Sequence, residues 1–316
     1  MPLKRITSDE YSRLFGPAAH VFGSVAFNLL NRGKCDDLHF LAFCDGKNKA
    51  RLGIILGERG GRLRSPFSAP FGGFEERGMQ RLSYYLECVA ELKKYGEDCG
   101  DEVVITFPPA CYDGNSSMFT RQMLCSLAAG GRQLYTDFNY HYCLADFDAF
   151  SERLWPNARR NLSTSQRCGL EFEYCDAPTP ELIAEIYEIV RINHESHGYP
   201  VHMSLDDIGA TSGVIDMDFF IVRKEGRGIA SAIIYRTSRE AVQLIYWGDL
   251  PEGRDLRPMN FLSYNIIRHY AENSGESGVR YFDLGPASSD GIPAVGLCDF
   301  KESIGCRLTQ KVTVAL

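Results

Sequence analysis

Apolar runs alternate with amphipathic stretches along nearly the whole chain, the pattern of an α/β protein. "LHFLAFCD" (Leu38 to Asp45) and "ARLGIILG" (Ala50 to Gly57) predict a hairpin turning at Asp45-Gly46. From Gly78 to Tyr95, the residues Leu82, Tyr85, Leu86, Val89 and Leu92 fall on one helical face. A strand at Glu102 to Phe107, a helix at Ser117 to Ala129 and a long strand near Gln133 to Ala145 follow. The second half runs through a similar order. Its first long helix, Pro180 to Glu195, begins on proline, which suits a first turn that has no N–H to satisfy. Strands are predicted at Asp218 to Val222, Gly228 to Tyr235 and Ala241 to Trp247. A second proline-started helix (Pro258 to Asn273), a strand at Val279 to Leu284, a short helix ending at Gly305 and a last strand close the chain.

"SLAAGGRQLYTDFNYHYCL" and "FKESIGCRLTQKVTVAL" occupy the same place in the two series: helix end, glycine cap, arginine, long strand. Residue identity between the halves is slight, so the repeat is one of element order. The reading is two copies of one fold, residues 1–146 and 147–316, with a boundary near Phe147. A chain of 316 residues is long enough for two cores.

Composition narrows the class. With 44% hydrophobic and 24% charged residues, disordered and collagen-like classes drop out. No apolar run approaches the ~20 residues that span a bilayer. "MPLKRITSDEYSRLFG" shows no apolar stretch behind its basic residues, so a cleaved signal peptide is not expected. The 11 cysteines are odd in number, scattered and free of C-x-x-C spacing, which reads as reduced thiols and a cytoplasmic setting. A net charge of −7 opposes polyanions and argues against DNA binding, while leaving room for a local basic patch that holds one phosphate.

The order Asp283-Leu284-Gly285, Phe300-Lys301, Gly305 resembles the C-terminal signature of the FemAB-type branch of the GNAT acyltransferase superfamily. Two segments add to it. "WPNARRNLSTSQRCGLEF" is similar to the family's R-N-(I/L)-x-x-(A/S)-x-x-x-G segment, matched at Arg160, Asn161, Leu162, Ser165 and Gly169. "NHESHGYPVHMSLDDI" looks like the family's loop after the first long helix, which lies over the cleft and here carries Tyr199 and His202. The resemblance implies a tandem pair of GNAT-like domains, each a mixed central sheet flanked by helices. It implies N-acyl transfer from an activated donor of acyl-CoA type to an amine, with the site in the second domain. Aminoacyl transfer from charged tRNA to a peptidoglycan precursor, and a non-catalytic binder of the same fold, are the alternatives. No permanently bound cofactor or metal is implied; acyl-CoA or aminoacyl-tRNA serves as co-substrate. The partners are then a small-molecule or cell-wall-precursor substrate and, transiently, tRNA.

Under that resemblance Lys301 is the first catalytic candidate, as oxyanion stabiliser or phosphate anchor; otherwise it is a helix-terminal lysine answering the helix dipole. Lys301→Met is then expected to cost rate and leave folding nearly untouched. Asp283, at a strand end before Gly285, would orient or deprotonate the amine, or simply cap its turn. Arg159 and Arg160, with Arg153 and Arg167 nearby, form the most basic helical surface and read as a phosphate clamp or a solvated face. Arg254, Tyr199, His202 and Ser288 complete the candidate substrate and phosphate contacts. His194, His197 and His202 lack a completing ligand set, so no metal is expected. The glycine-rich stretch Ser65 to Phe74 has neither Walker lysine nor G-x-G-x-x-G spacing, and reads as a turn packing Phe67, Phe71 and Phe74 between the domains. One departure from the superfamily stands out. The pyrophosphate-loop position reads "GDLPEGRDLRPMN", without the repeated glycines and with Pro258 removing one donor N–H.

Overall fold

The computed structural model describes residues 1–114 and 116–316. In chain order the first elements are β1 (Leu3–Ile6), α1 (Ser8–Phe15), α2 (Val25–Leu30), β2 (Asp37–Cys44), β3 (Ala50–Glu58), β4 (Arg62–Ser65), β5 (Phe74–Glu76), α3 (Leu82–Cys99), β6 (Glu102–Thr106), α4 (Met118–Ala128) and β7 (Arg132–Cys143). There follow α5 (Phe150–Arg153), α6 (Pro156–Ser165), β8 (Leu170–Cys175), α7 (Pro180–Ser196), α8 (Leu205–Ser212), β9 (Met217–Lys224), β10 (Arg227–Tyr235) and β11 (Ala241–Asp249). The chain ends with α9 (Pro258–Glu272), α10 (Ser274–Ser277), β12 (Tyr281–Pro286), β13 (Ser288–Ser289), β14 (Ile292–Pro293), α11 (Val295–Ser303) and β15 (Arg307–Ala315).

These elements form two compact units that are not contiguous in sequence. Unit 1 is Met1–Phe138, Ser288–Ile292 and Thr309–Leu316; unit 2 is Asn139–Ala287 and Pro293–Leu308. Packing thus divides the chain at Phe138, not near Phe147, because the long strands β7 and β15 each contribute residues to both units.

In unit 1 the strand order is β1-β2-β3-β4-β6-β15, with β5 also on β3. β2 reads as a continuous apolar run because both of its faces are covered. Leu41 and Phe43 pack with Tyr85, Val89 and Leu92 of α3, while Phe40 and Ala42 pack with Tyr11 and Phe15 of α1. Gly53 admits the Phe15 ring, which would lie 2.6 Å from a Cβ there. Phe71 and Phe74 are fully buried inside this unit, against Tyr112 and Phe43 respectively.

Unit 1 also buries a carboxyl. Glu75 is 5% exposed and accepts the Ala19 N–H at 2.9 Å. Desolvation lifts its pKa to about 7, with Glu76 adding and the Ala19 N–H opposing. The folded value exceeds the ordinary 4.5, so this group's stabilising contribution is complete at low pH and lost as pH rises to about 7. His20 runs the other way: burial drops it to about 4, so its contribution is complete above 6.5 and lost toward pH 4. Glu75→Gln keeps an acceptor for Ala19 but cannot ionise. Urea titrations should find it more stable than wild type by roughly 2–3 kcal/mol at pH 8, the gain shrinking toward pH 5. A gain that does not vary with pH would show that ionisation of Glu75 is not the cause.

In unit 2 the order is β7-β12-β11-β10-β9-β8, antiparallel except for the parallel pair β11–β12. Alternation along β9 decides which helix covers which face. Ile221 lies opposite Ser231, whose Oγ donates to Ile186 O of α7 at 2.8 Å. Phe220 points the other way and meets Tyr270 of α9. The helices α7 and α9 therefore cover opposite faces, each through a buried stripe: Ile186, Ile189 and Val190 on one, Leu262, Ile266 and Tyr270 on the other. No helix among the described residues is long and apolar enough to cross a membrane.

Candidate functional site

The sheet of unit 2 opens between β11 and β12. Their parallel register covers only Ala241–Tyr281, Val242–Phe282 and Gln243–Asp283, although β11 runs on to Asp249 and β12 to Pro286. Each strand is kinked at that level. The β10–β11 ladder skips Ile245, and the β12–β7 ladder skips Leu284. Gly285, next to the second bulge, takes φ +72°, a conformation that strains any residue with a Cβ. Bulges bend strands and re-aim their groups, and here they produce a wedge whose β11 edge past Gln243 has no β12 register partner among the described residues.

Two buried charges fix this wedge. Lys301, in the last turn of α11 and 2% exposed, donates from Nζ to Leu284 O (2.8 Å), Gly285 O (2.9 Å) and Pro286 O (3.0 Å). Asp283, fully buried, accepts from Asn139 Nδ2 (2.8 Å), the Gly285 N–H (2.9 Å) and Gln243 Nε2 (3.0 Å). The anion gathers N–H groups and the cation gathers carbonyls on consecutive residues of one strand end. Gly305, at φ +87°, closes α11 so that the Cys306 N–H bonds Lys301 O at 3.1 Å, which holds the lysine's own backbone in place. Lys301 and Asp283 are thus neither a solvent-facing ammonium nor a solvent-facing carboxylate. Both side chains are buried and hydrogen-bonded within the fold.

A loop from the end of α7 borders the other side of β11. Asn193 donates from Nδ2 to Asp249 O (3.0 Å) and Oδ1 (2.8 Å). Arg254 joins the same carboxylate through Nε (3.2 Å) and reaches Ser196 Oγ through NH2 (2.9 Å). Burial still leaves the Asp249 pKa above its ordinary value, against the pull of Arg254. The far end of the loop is pinned at Met203, whose N–H donates to Tyr246 Oη and whose carbonyl accepts from Tyr187 Oη. Between these anchors Tyr199 is exposed and stacks on His197, and His202 is exposed. His194 lies edge-on to Tyr246, and burial lowers its pKa.

The remaining sequence candidates are dispersed. Arg159 and Arg160 are exposed on α6, where Arg159 NH2 donates to Ser151 O at 2.6 Å. Arg153 pairs with Asp146 at 3.0 Å, and Arg167 Nε donates to Ser163 O, so the four arginines form no single clamp. Ser288 belongs to unit 1, where it donates to Asp137 Oδ1 (2.7 Å) and accepts the Phe138 N–H (2.8 Å). Its hydroxyl fastens a turn. In unit 1, Asp37, His39 and Glu58 bring ligand-type atoms together, a grouping no linear motif displays because β2 and β3 supply it by register. Arg5 already pairs with Asp37 at 2.6 Å. Sequence reasoning missed Gln243, Asn139 and Asn193. Single amides carry no motif, and only the strand register places two of them beside Asp283.

Comparison with known proteins finds a family model on part of the chain. Residues 156–302 match the family model of the acetyltransferase (GNAT) domain. Among solved structures the chain is similar to FemX, at TM-score 0.70 and 11% identity, over 100% of this chain and 97% of that one. It is similar to the C-terminal domain of a putative lysylphosphatidylglycerol synthetase from Agrobacterium fabrum, at 0.61 and 15%, over 98% and 92%. A tandem GNAT protein from the clavulanic acid biosynthesis pathway is a third, at 0.54 and 10%, over 98% and 86%. At such identities the likeness is one of fold. No curated protein matches the sequence. The resemblance drawn from the sequence motifs holds, as does the expected fold of GNAT-like domains in tandem, with mixed sheet flanked by helices.

Proposed function

We propose, from the premise that residues 156–302 form an acetyltransferase (GNAT) domain, that the chain is an N-acyltransferase working at the wedge between β11 and β12. The wedge is the observation that carries this reading. The donor is an activated acyl group of coenzyme A type and the acceptor an amine. The amine nitrogen attacks the acyl carbon, the carbonyl oxygen takes up negative charge, the thiolate leaves, and the amine's proton passes to solvent. Preorganised N–H groups along the β11 edge at the Ile245 bulge answer the oxyanion. Lys301 and Asp283 act as positioning residues that keep the strands apart. Arg254, in the turn that leads into α9, supplies a cation for donor phosphate. Tyr199 and His202, on the exposed loop after α7, border the acceptor side.

A second reading is favoured by the donor loop. Residues Pro251–Leu256 form a 3-10 turn, and Arg257 at φ +58° enters α9 directly at Pro258, so no glycine-rich phosphate cradle precedes that helix. The motif resemblance to the FemAB-type branch then points to aminoacyl transfer from charged tRNA to a cell-wall precursor. A thermal-shift series with acetyl-CoA, free coenzyme A and a bulk aminoacyl-tRNA fraction separates the readings. A coenzyme A donor at a hundredfold excess over Kd should add about 2.7 kcal/mol of stability, and thiol should be released when primary amines are supplied. Response to charged tRNA alone selects the second reading. Silence toward every donor points to a non-catalytic binder and sinks both.

A further inference from the structure

A second concavity lies in unit 2, between α5, α6 and α9, with a volume of about 480 Å³, within the size range of small-ligand sites. None of its walls comes from β11 or β12, so it is not the acyl-transfer wedge. Its floor is a three-ring cluster. Phe150 and Tyr264 have centroids 5.2 Å apart, Phe147 and Phe150 5.7 Å, and Phe147 and Tyr264 6.0 Å. Phe150 is buried, while Phe147 and Tyr264 are only half-buried and leave planar apolar surface uncovered. Arg159 stands at the edge of this floor.

The guanidinium of Arg159 is held in place without being neutralised. Its NH2 donates to Ser151 O at 2.6 Å and to Leu154 O at 3.5 Å, while Nε and NH1 have no hydrogen-bond partner among the described residues. It pairs with no carboxylate among them. A guanidinium fastened through NH2 leaves Nε–H and NH1 as separate donors, each able to meet one oxygen of an anionic headgroup. Arg268 lies over the Tyr264 ring at 5.6 Å but is paired with Glu272 at 3.9 Å, so the cation of the groove is Arg159. Asp148 also lines the groove and opposes that charge, so a single anionic headgroup is accommodated rather than a polyanion.

We propose that this groove binds a small amphiphilic anion, its apolar body on Phe147, Phe150 and Tyr264 and its carboxylate- or sulfonate-type headgroup on Arg159. This binding goes beyond acyl transfer and does not depend on it. The probe is 8-anilinonaphthalene-1-sulfonate, titrated by fluorescence into the full chain, with equilibrium dialysis giving stoichiometry. One dye should bind, and Arg159→Gln should weaken it about tenfold, the scale of one charge-assisted contact. Tyr264→Ala should weaken it as well, and Asp148→Asn should tighten it severalfold by removing a repulsion. Arg159 and Asp148 are exposed, so those two variants should melt like wild type and keep the test valid even if Tyr264→Ala unfolds. Displacement by monomeric octanoate identifies a free carboxylate as the source of the chemistry; displacement only by phosphatidylcholine vesicles carrying oleic acid, and not by phosphatidylcholine alone, identifies a carboxylate presented by a lipid. No dye binding, or binding unchanged in Arg159→Gln, overturns the proposal.

Discussion

Lys301→Met should lower stability by about 3 kcal/mol and the melting temperature by roughly 5–10 °C, an effect of buried acceptors losing their donor. Methionine keeps the length and most of the apolar stem, so packing is nearly conserved and the loss isolates the ammonium. What disappears is one cation serving three carbonyls, those of Leu284, Gly285 and Pro286, at 2.8–3.0 Å. Those groups lie at a bulged strand end that Gly285 holds at φ +72°. This differs from what the sequence predicts, since a lysine near a helix end reads as a charge aimed at solvent or substrate. The difference comes from α11 lying over β12, which turns the side chain inward. Urea denaturation followed by circular dichroism gives the number, and a thiol-release assay run well below the variant's melting temperature gives the rate. If Lys301→Met melts like wild type yet loses its rate, the lysine touches substrate after all, and the positioning role is wrong.

Much of the fold was legible. The strand runs of unit 2 and the two proline-started helices fall within a few residues of β9, β10, β11, α7 and α9, because apolar periodicity and proline at a first turn are local signals. The twin pattern of glycine cap, arginine and long strand is also real: Gly130 at φ +86° precedes β7 at Arg132, and Gly305 at φ +87° precedes β15 at Arg307. Local capping boxes at Thr7–Glu10 and Ser204–Asp207 could have announced α1 and α8, and pattern reading passed over them. What the pattern cannot display is non-local. That residues 309–316 pack in unit 1 follows from the length of β15 and its pairing with β6. The wedge depends on where a parallel register stops, and the roles of Asn139 and Gln243 depend on which strand lies beside β12. Motif matching found Asp283 and Lys301 but could not say that both side chains are buried.

Asp283→Ala should cost about 3–5 kcal/mol, whereas Asp283→Asn should cost only about 1 kcal/mol, and the gap between them is the informative quantity. Alanine deprives three buried N–H donors of one acceptor: Asn139 Nδ2, Gln243 Nε2 and the Gly285 main chain. Asparagine keeps one oxygen, Oδ1, for Asn139 and Gly285. The opposite amide nitrogen would meet Gln243 Nε2, donor against donor, but Gln243 Oε1 is buried and has no hydrogen-bond partner among the described residues. Turning the Gln243 amide over presents that oxygen to the new NH2 and restores the bond. The same variant separates two chemistries. An organiser of the wedge needs the hydrogen bonds and not the charge, so Asp283→Asn should keep acyl transfer within a few-fold of wild type. A proton acceptor needs the carboxylate, and its loss typically costs about 10²–10⁴ in rate. Asp283→Asn that folds normally but turns over a hundredfold slower would therefore make Asp283 the base. Equal destabilisation by alanine and asparagine would show instead that the buried charge itself, rather than its three donors, holds β12 in place.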